Sequence, residues 1–167
     1  MLNDDDLNRY ARQVIIPNFN EEGQERLLNT NCLIVGAGGL GCPVALYASA
    51  AGFGHIEIYD QDIIEISNLN RQIAHKNNHI GNSKAENLVQ ECLKINPNIS
   101  IISKKKIFDD SIDVSNFDLI FDCCDNPETK IYFKFFITQV QKNFNFWFRC
   151  SNGGSISHLE KWIKQKL

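Results

Sequence analysis

Four glycines within six residues form the first feature of the sequence that could serve as a ligand-binding loop. Gly36, Gly38, Gly39 and Gly41 fit the pattern G-x-G-x-x-G, directly after a short apolar run. In this pattern the first glycine permits a tight turn, the second lets phosphate approach backbone N–H groups, and the last lets a helix pack close to the strand. Asp60 ends the next predicted strand, where a carboxylate accepts hydrogen bonds from ribose hydroxyls. The combination predicts a nucleotide site and leaves NAD, FAD and ATP open.

Charged side chains follow other predicted strands, at positions that a parallel sheet brings together. Arg71 and Lys84 come after the second predicted strand, and Asp125 follows the fourth. Because the carboxyl ends of the strands face one crevice in a doubly wound sheet, we expect the three side chains to converge. Two cations neutralise a triphosphate and a carboxylate ligates Mg²⁺, which suits nucleotidyl transfer better than hydride transfer. Each residue alone also fits a surface charge or a helix cap, so the joint occurrence carries the prediction.

Alternating strands and helices are predicted to position these residues. Apolar runs predict five strands, at 32–35, 55–59, 99–103, 119–121 and 144–148. Helices are predicted at 4–14, 21–28, 44–51, from Ser83 to the Asn96-Pro97 stop, and at 128–141. The first of these helices is expected to be capped by Asp4, Asp5 and Asp6, since acidic groups favour a helix N-terminus. The order predicts an α/β, Rossmann-like, doubly wound and mainly parallel sheet flanked by helices, with an N-terminal helical segment.

Bulk composition excludes several classes of protein. With 167 residues, 43% of them hydrophobic, we expect a single domain over 1–167, with a core at 30–154 and a divergent tail at 155–167. The net charge of −3 argues against nucleic acid, and we interpret the lysine run at 104–106 as a solvated strand end. Neither a secretory leader nor an apolar span of roughly 18 residues is found, so we expect no membrane contact and a cytoplasmic location. The six cysteines form no C-x-x-C pair, which predicts reduced core thiols and no zinc site.

Six motifs in order resemble the ThiF/MoeB/HesA family, the bacterial relatives of ubiquitin-activating enzymes. The motifs lie at 9–13, 36–41, 60–62, 67–72, Lys84 and 122–126. The stretch 41–47 resembles the thiamine-pathway ThiF more than the molybdopterin-pathway MoeB. The resemblance implies that ATP and the terminal glycine carboxylate of a ubiquitin-like sulfur carrier, similar to ThiS or MoaD, give an acyl-adenylate and pyrophosphate, in thiamine or molybdopterin biosynthesis.

The resemblance also assigns roles to individual residues. It implies that Asp60 holds the ribose, that Asp125 binds Mg²⁺, and that Arg12 reaches the phosphates of the partner subunit's site in a homodimer, much as an arginine finger does. The adenosine and phosphate site is implied to be lined by Asp62, Asn68, Arg71, Gln72 and Lys84. From the residues alone, Arg12 also fits a solvent-exposed helix cation and Asn68 a turn former.

The end of the sequence departs from the family pattern. The further strands, the loop over the adenylate and the zinc-binding C-x-x-C pairs of the family have no counterpart, and we interpret the tail at 155–167 as a truncated or frameshifted end rather than an amphipathic helix. Cys150, beside Arg149, is interpreted as inert rather than as a substitute nucleophile. Three hypotheses therefore stand: a sulfur-carrier adenylyltransferase, a truncated and catalytically weak or inactive ATP- or carrier-binding remnant, and an NAD-dependent oxidoreductase, which Arg71, Lys84 and Asp125 disfavour.

Overall fold

A sheet of five parallel strands organises the chain, in a computed structural model that describes residues 1–126 and the backbone of 146–149. The strands are β1 (Asn31–Val35), β2 (His55–Tyr59), β3 (Ser100–Lys104), β4 (Leu119–Asp122) and β5 (Phe146–Arg149). Their spatial order is β3-β2-β1-β4-β5, and every pairing is parallel. The chain therefore runs outward on both sides of β1, which confirms the doubly wound α/β fold.

Helices connect and flank these strands. In the described residues they are α1 (Asp4–Arg9), α2 (Ala11–Val14), α3 (Asn20–Leu28), α4 (Gly41–Ala51) and α5 (Lys84–Ile95), with short 3-10 turns at Ile66–Asn68 and Asn77–His79. The helix expected at 128–141, Cys150 and the tail at 155–167 lie outside the described residues. None of the helices within 1–126 has the length and apolar character needed to cross a membrane.

The N-terminal segment differs from the single helix predicted at 4–14. Tyr10 separates α1 from α2 with a φ of −101° and a ψ of 15°, and the residue is 1% exposed. Its hydroxyl accepts a hydrogen bond of 2.8 Å from the buried Asn96 amide. The cap of α1 is Asn3 rather than the acidic residues, because its side chain accepts from the Asp6 N–H while the Asp6 carboxylate accepts from the Asn3 N–H.

The other elements lie close to their predicted positions. β2 has the predicted bounds, β1 and β4 each gain one residue at one end, and β3 and β5 shift by one or two residues at both ends. Helix α4 begins at Gly41, the last residue of the glycine loop, rather than at residue 44. Ser83 caps α5 as predicted, with its hydroxyl 3.4 Å from the Glu86 backbone nitrogen.

The hydrophobic core lies on both faces of the sheet. Side chains of β1 alternate, so that Cys32 and Ile34 pack with α4 and α5, while Leu33 and Val35 pack on the opposite face. Cys32, Cys42 and Cys92 are fully buried free thiols. Burial on both faces explains why β1 reads as a continuous apolar run.

Candidate nucleotide-binding site

The glycine loop divides into structural and open positions. Gly36 has a φ of +101°, and a Cβ added there would lie 2.8 Å from the Cys123 carbonyl oxygen. A Cβ on Gly41 would lie 1.8 Å from the Gly36 carbonyl oxygen. At Gly38 and Gly39 the nearest atoms to such a Cβ are 3.6 Å and 3.5 Å away. The first and last glycines therefore shape the turn, and the middle two leave space beside the loop.

Backbone donors of the loop stand unpaired at the start of α4. Within residues 1–126, no acceptor receives the N–H groups of Gly38, Gly39 or Leu40. The first N–H groups of a helix have no intrahelical partner, and the helix dipole adds partial positive charge at this end. Such a terminus is suited to bind phosphate.

Asp60 ties the glycine loop to the end of β2. One carboxylate oxygen accepts from the Ala37 N–H at 2.7 Å, and the other accepts from the Asp62 N–H at 2.8 Å. Burial raises the pKa of Asp60, while these two hydrogen bonds and the charge of Lys84 act against that rise. Each oxygen keeps a second lone pair, so the carboxylate can still accept from a ribose hydroxyl.

Lys84 is a nearly buried cation at the first position of α5. Only 7% of the residue is exposed, and its ammonium lies 2.8 Å from a carboxylate oxygen of Asp62. A buried charge is costly unless it is paired. The Asp62 side chain is 57% exposed, so the ion pair borders open space and the ammonium has donors left for an anion.

The segment between β2 and α5 supplies two amides and a guanidinium. Asn68 is buried and its side-chain oxygen accepts from the Glu65 N–H at 3.0 Å, which is a turn-forming role. Arg71 donates to the Ser67 carbonyl at 3.0 Å. Gln72 is 4% exposed, and its side-chain oxygen has no hydrogen-bond partner within the described chain. Leaving a buried acceptor unpaired costs about 1–3 kcal/mol, so this oxygen is a candidate acceptor for a ligand.

A cleft of about 850 Å³ brings the predicted residues together at the carboxyl edge of the sheet. The predicted residues that line it are Gly36, Gly38, Gly39, Asp60, Asp62, Asn68, Arg71, Gln72, Lys84 and Asp125. Gly41 is not among the lining residues, because it lies behind the loop, against the Gly36 carbonyl. Arg12 is exposed on α2, outside the cleft.

One wall of the cleft was not predicted from the sequence. It includes Tyr59 and the segment directly after β3, with Lys106, Ile107 and Phe108. The Tyr59 and Phe108 rings meet edge to face at 5.7 Å, and the Lys106 ammonium lies 5.6 Å from the centre of the Tyr59 ring. Lys106 is exposed just after β3, as expected of a solvated strand end, and it also lines the cleft. The available signal was its position at the carboxyl end of a parallel strand.

The vicinal thiols Cys123 and Cys124 also border the cleft. Cys124 is half-buried, and its thiol donates to a carboxylate oxygen of Asp122 at 2.9 Å. Asp122 is fully buried at the end of β4. The two cysteines thus do more than fill the core, since both also form part of the cleft surface.

The described residues offer few protein ligands for a metal ion. The described part of the chain contains no group of three or more histidine, cysteine, aspartate or glutamate side chains arranged to hold a metal. Mg²⁺ at nucleotide sites keeps waters and phosphate oxygens and needs one or two carboxylates. Asp125, exposed at the cleft, fits that requirement.

Curated relatives match most of this chain but a small part of their own length. The adenylyltransferase and sulfurtransferase uba4 of Aspergillus niger is 41% identical over 136 residues, which cover 76% of this chain and 27% of that protein. The adenylyltransferase and sulfurtransferase MOCS3 of Drosophila sechellia is 41% identical over 132 residues, covering 77% of this chain and 29% of that protein. The chain thus spans less than a third of the length of these relatives.

Solved structures share the fold. The E. coli MccB structure with ATP is 27% identical with a TM-score of 0.67, covering 75% of this chain and 38% of that one. The E. coli tRNA N6-threonylcarbamoyladenosine dehydratase TcdA, in complex with AMP, has a TM-score of 0.80 at 20% identity, covering 89% of this chain and 60% of that one. The profile of the ThiF family matches residues 10–146. On this match, and on the fold and cleft described above, the chain belongs to the ThiF family.

Proposed function

We propose that this chain carries the nucleotide site of an adenylyltransferase that activates the C-terminal glycine carboxylate of a ubiquitin-like sulfur carrier. The observation that carries the proposal is the ion pair of buried Lys84 with the exposed Asp62 carboxylate, which borders the same cleft as the unpaired N–H groups of the glycine loop. A buried ammonium and free backbone donors suit a polyphosphate. Membership in the ThiF family and the adenylyltransferase names of the relatives support the same activity.

The donor set of the cleft fits ATP. The N–H groups of Gly38 and Gly39 bind phosphate oxygens, and Asp60 accepts from the ribose. Lys84 and Arg71 balance the negative charge, and both side chains line the cleft. The unpaired Gln72 oxygen gains a donor when the site is filled.

The proposed reaction is an attack by a carrier carboxylate oxygen on the α-phosphorus of ATP. A new oxygen–phosphorus bond forms, the bond from that phosphorus to the bridging oxygen breaks, and pyrophosphate leaves with the electron pair. The chain contributes positioning and charge stabilisation, through Lys84, Arg71 and the loop amides. A Mg²⁺ ion held by Asp125 would supply further neutralisation of the phosphates.

We further propose that the enzyme acts as a homodimer in the cytoplasm on a ThiS- or MoaD-like carrier. Arg12 is exposed and lies outside its own cleft, which is where a side chain serving a second subunit's site is required to lie. The names of the relatives join adenylyl transfer to sulfur transfer, which supports a sulfur carrier as the acceptor.

Carrier-dependent exchange of labelled pyrophosphate into ATP tests the proposal. We expect exchange that requires a carrier ending in Gly-Gly, and a loss of about a hundredfold or more in Lys84→Met, because a preorganised charge at the phosphates is removed. Asp125→Asn should lose exchange while still binding ATP without metal. Lys76→Met is the matched control, since Lys76 lies outside the cleft and its partner Glu91 keeps an ion pair with Lys94.

The opposing outcomes distinguish the alternatives. A folded chain that binds ATP but shows no exchange would place it as a binding remnant without turnover. A chain that binds NAD tightly and does not bind ATP would restore the oxidoreductase hypothesis.

A further inference from the structure

A buried histidine lies directly behind the glycine loop, and nothing in the proposed reaction uses it. His75 is 4% exposed and lies between the two 3-10 turns. Its Nε2 is 3.0 Å from the Ala37 carbonyl oxygen, and its Nδ1 is 2.9 Å from the Asn87 amide nitrogen. Both ring nitrogens therefore have partners within the protein, which holds the ring fixed.

These partners determine which nitrogen carries the proton. The Asn87 amide nitrogen also donates to the Ala74 carbonyl at 3.2 Å, and a carbonyl only accepts, so the amide orientation is set. The same nitrogen must then donate to Nδ1 of His75. A neutral imidazole with an accepting Nδ1 carries its proton on Nε2, and this N–H donates to Ala37. Burial, with the nearby charge of Lys84 acting in the same direction, lowers the pKa of His75 and favours this neutral form.

The hydrogen bond to Ala37 orients a peptide unit of the loop. No described peptide bond is cis, so the Ala37 carbonyl and the Gly38 N–H point in opposite directions. With the carbonyl directed at His75 behind the loop, the Gly38 N–H is directed away from it, toward the side on which Gly38 lines the cleft. The preceding N–H, on Ala37, is held by Asp60 at 2.7 Å.

We infer that His75 is a positioning residue, which presents the Gly38 N–H to phosphate by holding the Ala37 carbonyl behind the loop. The inference rests on the proposed nucleotide site, and it adds a side chain that no motif of the family resemblance singled out. His75 does not touch the ligand; it acts through Ala37.

A catalytic role for the neighbouring thiol does not fit the geometry. Cys42 lies 3.7 Å from Nε2 of His75, a separation that resembles a thiol–imidazole pair. Yet Cys42 is fully buried, its thiol donates to the same Ala37 carbonyl at 3.4 Å, and burial raises its pKa to about 11. The thiol thus stays protonated and serves as a second donor to the loop.

Nucleotide affinity of the full chain tests the inference. The variants are His75→Leu, which removes the donor to Ala37, and His75→Gln, whose amide nitrogen replaces Nε2–H as the donor. His55→Leu is the matched control, because His55 is exposed and is the first residue of β2, whereas the cleft lies at the other end of that strand. Binding of ATP is measured by titration calorimetry, and thermal unfolding checks that each variant folds. We expect affinity about tenfold lower in His75→Leu, roughly the value of one hydrogen bond, and near that of the unaltered chain in the other two.

A second measurement is independent of nucleotide binding. Nitrogen NMR of the imidazole should show His75 neutral at pH 7, with the proton on Nε2. This spectrum tests the hydrogen bond from His75 to the Ala37 carbonyl even if His75→Leu does not fold. A folded His75→Leu chain with unchanged ATP affinity would overturn the inference, as would a proton on Nδ1. If the unaltered chain folds, shows the expected tautomer and binds no ATP, the proposed function fails while the contact that orients the loop stands.

Discussion

Lys84 and Gln72 line the cleft with hydrogen-bonding capacity that the described residues leave unused. Lys84 is 7% exposed and has one carboxylate partner, and the buried Gln72 oxygen has no partner in the residues described. Interiors normally satisfy such groups. Both groups border the cleft, so a ligand with donors and negative charge would complete their bonding. We therefore propose that the residues that matter most for nucleotide binding are those that folding leaves incompletely paired.

The neutral state of His75 predicts a pH dependence of stability. The folded-state pKa is lowered from 6.5, so below that pH the unfolded chain binds a proton that the folded chain does not. The free energy of unfolding should therefore fall as the pH drops below 6.5, by at most about 1.4 kcal/mol per pH unit from this residue. Denaturant unfolding of the unaltered chain and of His75→Gln, between about pH 5 and about pH 7, isolates this contribution.

The difference between the two chains is the quantity that matters, because other groups titrate in both. Asp60 has a raised pKa and acts in the opposite direction, favouring the folded state as the pH falls. The stability of the unaltered chain relative to the variant should grow with pH. Parallel curves would show that His75 titrates alike in folded and unfolded chains.

At the residue scale, the motif positions could be predicted from the sequence, but the hydrogen bonding of buried side chains could not. The glycines, Asp60 and Lys84 follow from spacing, because each stands at a strand or helix end that the apolar pattern locates. His75 and the unpaired oxygen of Gln72 depend on contacts between segments far apart in the chain. The partners of His75, which are Ala37 and Asn87, are set by the packing of the loop on α5, which residue spacing does not specify.

At the scale of elements, the start of α4 shows why the loop needs glycine at one position and tolerates more at another. We expect Gly41→Ala to lower the free energy of unfolding by about 3 kcal/mol, because its Cβ would lie 1.8 Å from a backbone carbonyl that cannot move aside. Gly39→Ala is the matched variant, since its Cβ would make ordinary contact at 3.5 Å with the Arg71 side chain, and its stability should change by less than about 0.5 kcal/mol. Chemical denaturation measures both.

Equal stability of the two alanine variants would mean that α4 shifts freely along β1, contrary to the packing described. The predicted start of α4 at residue 44 missed this turn because glycine lowers helix propensity, while here Gly41 is the first residue of the helix. The break at Tyr10 was missed for a related reason. Helical spacing continues through that residue, and only its buried contact with Asn96 reveals the bend.

At the scale of the molecule, the cleft lies where the sheet order reverses, between β1 and β4, and Arg12 lies outside it. If Arg12 completes the site of a second subunit, Arg12→Ala and Lys84→Met chains should each be inactive alone and regain activity when mixed. One site of each mixed dimer is then intact, which gives about a quarter of the unaltered exchange rate in an equal, fully exchanged mixture.

A mixture of two Arg12→Ala preparations is the control, and it should show no recovery of pyrophosphate exchange. Absence of recovery in mixed dimers, shown to form by differently tagged chains, would place Arg12 outside the partner's site. The fold and the cleft followed from the local pattern of strands and glycines, but a contact between subunits leaves no periodicity in one sequence, so Arg12 rests on the family resemblance.

The two hydrogen bonds of Asp60 have a consequence for the thermodynamics of binding. One carboxylate holds the Ala37 N–H and the Asp62 N–H, and Asp62 in turn holds Lys84. The glycine loop and the buried cation are therefore fixed to each other through the side chains of Asp60 and Asp62 when the protein folds. The conformational entropy of that whole arrangement is lost at folding, so in the proposed function a nucleotide would meet a preorganised site and would retain more of its contact energy as affinity.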